Sequence, residues 1–236
     1  MADQGGLRDG AEWTTFISNV SIKTRGKDML RTFAAALAAA AALCAAQASA
    51  QTIVDEWAKA QPPAPIELKS VKVDTKTTAF LVLDLVKQTC NAERRPRCLA
   101  SLPKVEKFLA EARAKGMPVV HSIVAVATPA DIAPQAAPRE GEPIVSSVAN
   151  KFIRTDLDKI LKDKGVTTVI VVGTTAQGAV LYTASEAAFL GYKVIVPVDG
   201  ASAETLYAEQ ITAWTLANAP GVGQNTTMTR FDMIGF

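Results

Sequence analysis

The sequence predicts an α/β fold, a three-layer αβα sandwich built on a mostly parallel sheet. Three observations carry that reading. Continuous apolar runs rich in β-branched residues, such as "TAFLVLDLV" (78–86) and "VTTVIVVG" (166–173), suit strands buried on both faces. Helical patterns with one apolar face separate these runs. The regular alternation of strand and helix calls for right-handed crossovers, which leave the strands parallel and place helices on both sides. The layout is Rossmann-like.

Each element has its own signature. After "TAFLVLDLV", the segment "SLPKVEKFLAEARAKG" (101–116) puts Val105, Phe108, Leu109 and Ala112 on one helical face. Pro103 is expected in its first turn and Gly116 at its end, the positions that helix termini favour. "MPVVHSIVAV" (117–126) is the second strand, and "TPADIAPQAAPREGEP" is a long loop over its far end. "TDLDKILKDKG" (155–165) opens with a Thr-x-x-Asp cap pattern and aligns Leu157, Ile160 and Leu161. A strand, a helix ended by Gly191, the strand "YKVIVPVDG", the helix "SAETLYAEQITAWTLANA" and a last strand within "NTTMTRFDMI" complete the chain. Tyr207 and Trp214 on the last helix are expected in the core or at a subunit interface.

The N-terminal quarter reads differently. Lys27 and Arg31 precede "TFAAALAAAAALCAAQASA", an apolar run that ends in Ala48-Ser49-Ala50. A basic flank, a short apolar core and small residues at the cut site describe an export signal over 29–50. Alanine is too weakly apolar, and Gln47 too polar, for a membrane anchor. Residues 1–28 read as a leader ahead of a plausible start at Met29. Residues 51–74 form an arm and linker, and 75–236 the main domain. The expected location is the periplasm or the exterior, with no membrane attachment after cleavage.

From residue 51 onward 20 Lys and Arg face 19 Asp and Glu, so no basic stripe invites nucleic acid. The partners expected are a small-molecule substrate and further copies of the chain in a homo-oligomer. An exported chain with Cys90 and Cys98 closing the loop "NAERRPR" suggests a disulfide. His121 is the single histidine and lies mid-strand, without the ligand cluster a metal needs. No dinucleotide or phosphate-loop fingerprint occurs in the right context, so no metal or cofactor is expected.

Two features converge where parallel sheets gather ligands, outside the carboxyl ends of the strands. One is Asp84, near the end of the first strand. The other is the turn 173–179 within "VIVVGTTAQGAVLYTASEAAFLGYKVIVPVDG" (169–200). Its amides around Thr175, Gln177, Gly178 and Ala179 precede a helix and suit an oxyanion or carboxylate. Arg94, Arg95 and Arg97 crowd the loop just beyond Asp84 and are candidates to clamp a substrate carboxylate, with Arg94 and Arg97 put forward as substrate-binding residues; a solvated loop is the alternative.

These residues resemble the isochorismatase-like hydrolase family over roughly 75–235. The pattern G-x-x-x-x-x-C-V-x-x-T-A-x-x-A-x-x-x-G-Y is met by Thr183, Ala184, Ala187, Gly191 and Tyr192. The resemblance implies an Asp–Lys–Cys triad in the family's cysteine-hydrolase branch. Asp84 matches the Asp, but the Cys position falls on Ala179 and the Lys position on Ser146. Lys151, five residues on, fills that role only if the preceding loop is rearranged. A methyl group cannot attack a carbonyl, so covalent amidase chemistry is not available at that turn. The isochorismatases proper, which the chain resembles in having a small residue there, cleave a vinyl ether by protonation, although their turn carries a His where this one has Gln177. The resemblance therefore implies Asp84 as a general acid, with Lys151 as the second catalytic candidate. A binding protein that has lost catalysis is the alternative. A cysteine amidohydrolase using Cys90 is the third reading, and it requires a free thiol.

Overall fold

The computed structural model describes residues 52–236, in two compact units that meet in sequence at Pro62 and Pro63. The leader and export-signal expectations fall outside the described residues. In the first unit a short helix, α1 (Ile53–Glu56), runs into a tight turn at Trp57–Lys59. Thr52 caps it, its N–H and hydroxyl both donating to the Asp55 carboxylate at 3.1 and 2.7 Å.

The second unit contains, in order, β1 (Val71–Lys72), β2 (Thr78–Leu83), α2 (Pro96–Ala114), β3 (Val119–Ile123), β4 (Ile144–Ser146), α3 (Leu157–Asp163), β5 (Thr168–Thr174), α4 (Leu181–Phe189), β6 (Lys193–Pro197), β7 (Ala201–Ser202), α5 (Leu206–Asn218), β8 (Thr226–Thr229) and β9 (Ile234–Gly235). The main sheet runs β4-β3-β2-β5-β6-β8, with β7 joined to β5, and every pairing is parallel. Strand β1 pairs with β9 in a separate parallel ribbon.

Strand periodicity divides the core in two. Phe80 and Val82 of β2, with Ile170 and Val172 of β5, face α2 and meet Val105, Phe108, Leu109 and Ala112. Ala79, Leu81 and Leu83, with Val169 and Val171, face the opposite layer and meet Leu157 and Leu161 of α3, the alanines of α4 and Leu216 of α5. Alternate side chains of a strand point to opposite faces, so one apolar run serves both cores. An aromatic cluster reinforces the α2 side, with Phe80 and Phe231 each 5.0 Å from Phe108 between ring centroids.

Several elements differ from expectation. Helix α2 begins at Pro96 rather than near Ser101, so Pro96 takes the first-turn position and Pro103 lies inside the helix. Strand β4 is only three residues long, too short to leave a periodic signal. The long loop winds into two single turns, Pro129–Asp131 and Pro134–Ala136. Tyr207 and Trp214 are not core residues, being 66% and 41% exposed. No helix among the described residues is long and apolar enough to cross a membrane.

His121 is buried on β3, with Nε2 2.9 Å from Glu142 Oε2. Arg113 grips the same carboxylate through two contacts of 2.8 and 2.7 Å. Burial acts to raise the Glu142 carboxyl, but the Arg113 guanidinium, the Arg139 N–H and His121 outweigh it and hold it at about 2.

Two predictions follow from this packing. A Cβ built on Gly173, whose φ is 132°, would overlap the carbonyl of Leu83, its register partner on β2. Gly173→Ala is expected to lose roughly 2–4 kcal/mol of stability, read from the urea midpoint; an unchanged midpoint would contradict the packing. For Glu142, a folded-state value below the free value of 4.5 means stability that is present above pH 4.5 and lost as pH falls toward 2. Glu142→Gln should therefore cost on the order of 1–2 kcal/mol at neutral pH, after allowing for partial solvent screening, and almost nothing near pH 2. Denaturation curves across that range test it, and a pH-independent deficit would refute the linkage.

Candidate functional site

The sheet's order reverses direction between β2 and β5, and the chain ends of these strands open a crevice there. Asp84 follows β2 directly and has a left-handed backbone, with φ at 53°. Its N–H is held by Ser122 on β3, at 3.1 Å from the carbonyl and 3.2 Å from the hydroxyl. The Ser122 hydroxyl donates in turn to Asp84 Oδ1 at 2.8 Å. The register that pairs Leu83 with Ser122 puts this serine beside the acid. Thr89 closes the loop by donating its hydroxyl to the Asp84 carbonyl.

The other carboxylate oxygen meets Lys151. Its Nζ lies 2.7 Å from Asp84 Oδ2, and its side chain is fully buried. The ammonium also donates to the Ser147 carbonyl at 3.3 Å. The Lys151 N–H donates to Thr183 Oγ1 on α4 at 3.1 Å, and Thr183 donates to the Ala149 carbonyl at 3.3 Å. A loop after β4 thus carries the lysine back over the strand ends. Ser146, where simple counting places the lysine, is exposed at the end of β4. The rearranged loop therefore brings Lys151, not Ser146, to Asp84: burial pushes the carboxyl above the usual range, while the Lys151 ammonium, the Ser122 hydroxyl and more distantly Arg95 pull it down.

Opposite the pair, β5 ends in Thr174, and residues Ala176–Val180 form a widened helical turn ahead of α4. Ala179 is 3% exposed and offers only a methyl group. A Cβ on Gly178 would come within 2.4 Å of the Thr175 hydroxyl, which would have to turn away. The N–H groups of Gly178 and Val180 donate to the Thr175 carbonyl, so part of the expected amide cradle is already occupied.

A cavity of about 320 Å³ lies between these parts, bordered by Asp84, Arg95, Thr175, Gly178 and Ala179. Gln177 is not on its wall. Arg94 and Arg97 are turned outward, onto Glu204 at 2.9 Å and Glu209 at 2.7 Å. Arg95, between them in sequence, enters the cavity instead. Cys90 and Cys98 are joined in a disulfide, which removes the free thiol that a Cys90 nucleophile needs. Ser122 was the residue missed, and a serine beside His121 in an otherwise apolar strand was the available signal; of the three loop arginines expected to clamp a carboxylate, Arg95 is the one that borders the cavity. Among the described residues no cluster of His, Cys, Asp and Glu suited to a metal occurs.

Residues 78–228 match the isochorismatase domain. The chain belongs to the isochorismatase family. It is 33% identical over 113 residues to a secreted isochorismatase effector of Verticillium dahliae, covering 42% of this chain. It spans 58% of that relative's length. Its structure is similar to an isochorismatase-like hydrolase from Alkaliphilus metalliredigens, with a TM-score of 0.60 and 26% identity over 67% of this chain and 94% of the other. An isochorismatase family protein from Desulfovibrio vulgaris shares the fold at a TM-score of 0.61, with 22% identity over 66% and 95% of the two chains. Within this isochorismatase-like fold, the aspartate and lysine stand together and the nucleophile position is an alanine.

The buried pair makes a specific demand on stability. Lys151→Met leaves Asp84 buried without its cation, and an uncompensated carboxylate costs about 3–5 kcal/mol. Its folded-state value then rises further, so the deficit should be largest at neutral pH and shrink as acid neutralises the group. Melting of the variant across pH 5–8 measures this; a deficit that grows on acidification would show that Lys151 does not carry the compensating charge.

Proposed function

We propose that this isochorismatase-family protein is an exported hydrolase of a small anionic molecule, with Asp84 as general acid and no covalent enzyme intermediate. The observation that carries the reading is the methyl group of Ala179 on a cavity that Asp84 also borders, with Lys151 buried behind the acid. A methyl group forms no acyl-enzyme, whereas a carboxyl that burial pushes above its usual range takes up a proton more readily and can pass it to substrate.

The chemistry that suits such an acid is the opening of a vinyl ether. Asp84 delivers its proton to the unsaturated carbon, and the positive charge develops on the carbon bearing the ether oxygen. Water adds there, and the resulting hemiketal breaks to a ketone and an alcohol, returning a proton to Asp84. Lys151 stabilises the carboxylate left between the two transfers, and Ser122 fixes its orientation. Export is supported by the secretion ascribed to the Verticillium relative, by the signal pattern over 29–50 and by the disulfide.

With isochorismate as the probe, Asp84→Asn is expected to lower kcat by about 10²–10⁴, while iodoacetamide treatment of the unreduced protein leaves turnover intact. Full activity in Asp84→Asn would defeat the acid role, and loss on alkylation would point to a thiol. The same methyl group also favours a binding protein without catalysis. Many turnovers per protein molecule exclude that reading.

A further inference from the structure

The cavity contains one charge that the proton-transfer chemistry does not use. Arg95 has a side chain only 8% exposed, although it borders the cavity. Its Nη1 donates to the Thr89 carbonyl at 2.7 Å and its Nη2 to Glu204 Oε1 at 3.2 Å. Its Nε is buried and has no partner. Leaving a buried guanidinium donor unsatisfied is costly, since a charged group loses strong hydration.

The local charges do not cancel. Asp84 and Lys151 neutralise each other at 2.7 Å. Glu204 Oε1 is shared between Arg94 at 2.9 Å and Arg95 at 3.2 Å, so two guanidiniums face one carboxylate and one positive charge remains. Glu204 is also 42% exposed, which weakens its hold through screening. Around this surplus charge the walls are mainly apolar, with Val124, Val148, Ala149 and Ala179, and carry hydroxyl side chains such as Thr89 and Thr175. The volume lies at the small end of ligand cavities, which run from about 300 to 1,000 Å³.

The disulfide loop supplies the mount. Arg95 lies between Cys90 and Cys98, whose sulfurs are bonded, and both cysteines are buried. The Arg95 N–H donates to the Asn91 carbonyl and the Cys98 N–H to the Arg95 carbonyl, each at 2.9 Å. The main chain is therefore held on both sides of the residue, and the guanidinium projects from a fixed base.

We infer that Arg95 reads a carboxylate on the substrate, and that the Cys90–Cys98 loop holds it in place to do so. A planar guanidinium whose Nη2 is held only by the partly exposed Glu204 can take a planar carboxylate in its place, and one surplus charge on a small, mainly apolar cavity matches one carboxylate of a compact substrate. This inference rests on the Asp84 cavity being the substrate site.

Calorimetric titration of the full chain tests it with benzoate as probe and benzamide as the neutral counterpart of the same shape. Wild type should bind benzoate at least about tenfold more tightly than benzamide. Arg95→Gln should lose that difference, Arg95→Lys should keep only part of it, and Glu204→Gln should bind benzoate a few-fold more tightly because the competing anion is gone. The Cys90→Ser/Cys98→Ser double variant should bind benzoate at least about threefold more weakly while keeping its circular dichroism. Glu204→Gln supplies a gain of affinity that a merely structural role would not produce, and it holds even if Arg95→Gln fails to fold. Equal binding of the two probes, no benzoate binding by wild type, or wild-type affinity in Arg95→Gln would overturn the inference. Asp84→Asn should bind benzoate at least as tightly as wild type, so a failed acid role and a failed carboxylate subsite give different results.

Discussion

The site depends on a buried ion pair at the ends of parallel strands. Lys151 has no solvent exposure and Asp84 only 3%. Each charge alone would cost several kcal/mol to bury, and they coexist because they meet at 2.7 Å and because Ser122 and the Ser147 carbonyl take up remaining donors and acceptors. Asp84 also holds a left-handed backbone, which for a residue with a side chain costs about 1 kcal/mol or more. The hydrogen bonds from its N–H to Ser122 keep it there. Sheet register, the loop after β4 and the first turns of α4 all converge on this one contact.

An ion pair is a poor way to fill a core, because well-packed apolar groups of the same volume are often as stable or more so. Its presence beside a cavity therefore supports a chemical use rather than a packing one. The alanine at the turn narrows that use. Without a nucleophile, proton transfer is what the pair can offer, and Arg95 adds a fixed positive charge on the cavity wall.

The layered architecture was legible because buried parallel strands must be apolar on both faces and helices on one, as "TAFLVLDLV" and the Val105–Ala112 face display. The site was legible only in part. Asp84 and the turn at 173–179 are set by position along strands, which the sequence exposes directly. Lys151 was legible only as a candidate, because counting back from Phe152 assumes a loop of fixed length and lands on Ser146. The loop after β4 instead carries the chain back, with Ser147 donating to the carbonyls of Asn150 and Ile153. Arg94, Arg95 and Arg97 look alike in sequence, and only the folded structure shows that Arg95 is the buried one that borders the cavity.

From the sequence alone came the alternation of strand and helix, the absence of a thiol at residue 179, and an acid at the end of the first long strand. Those depend on residue type and local spacing. Tertiary structure decided which cation meets that acid and which arginine borders the cavity. These are contacts between residues far apart in the chain or on irregular loops. Their geometry is set by packing against the rest of the fold, and no local pattern encodes it.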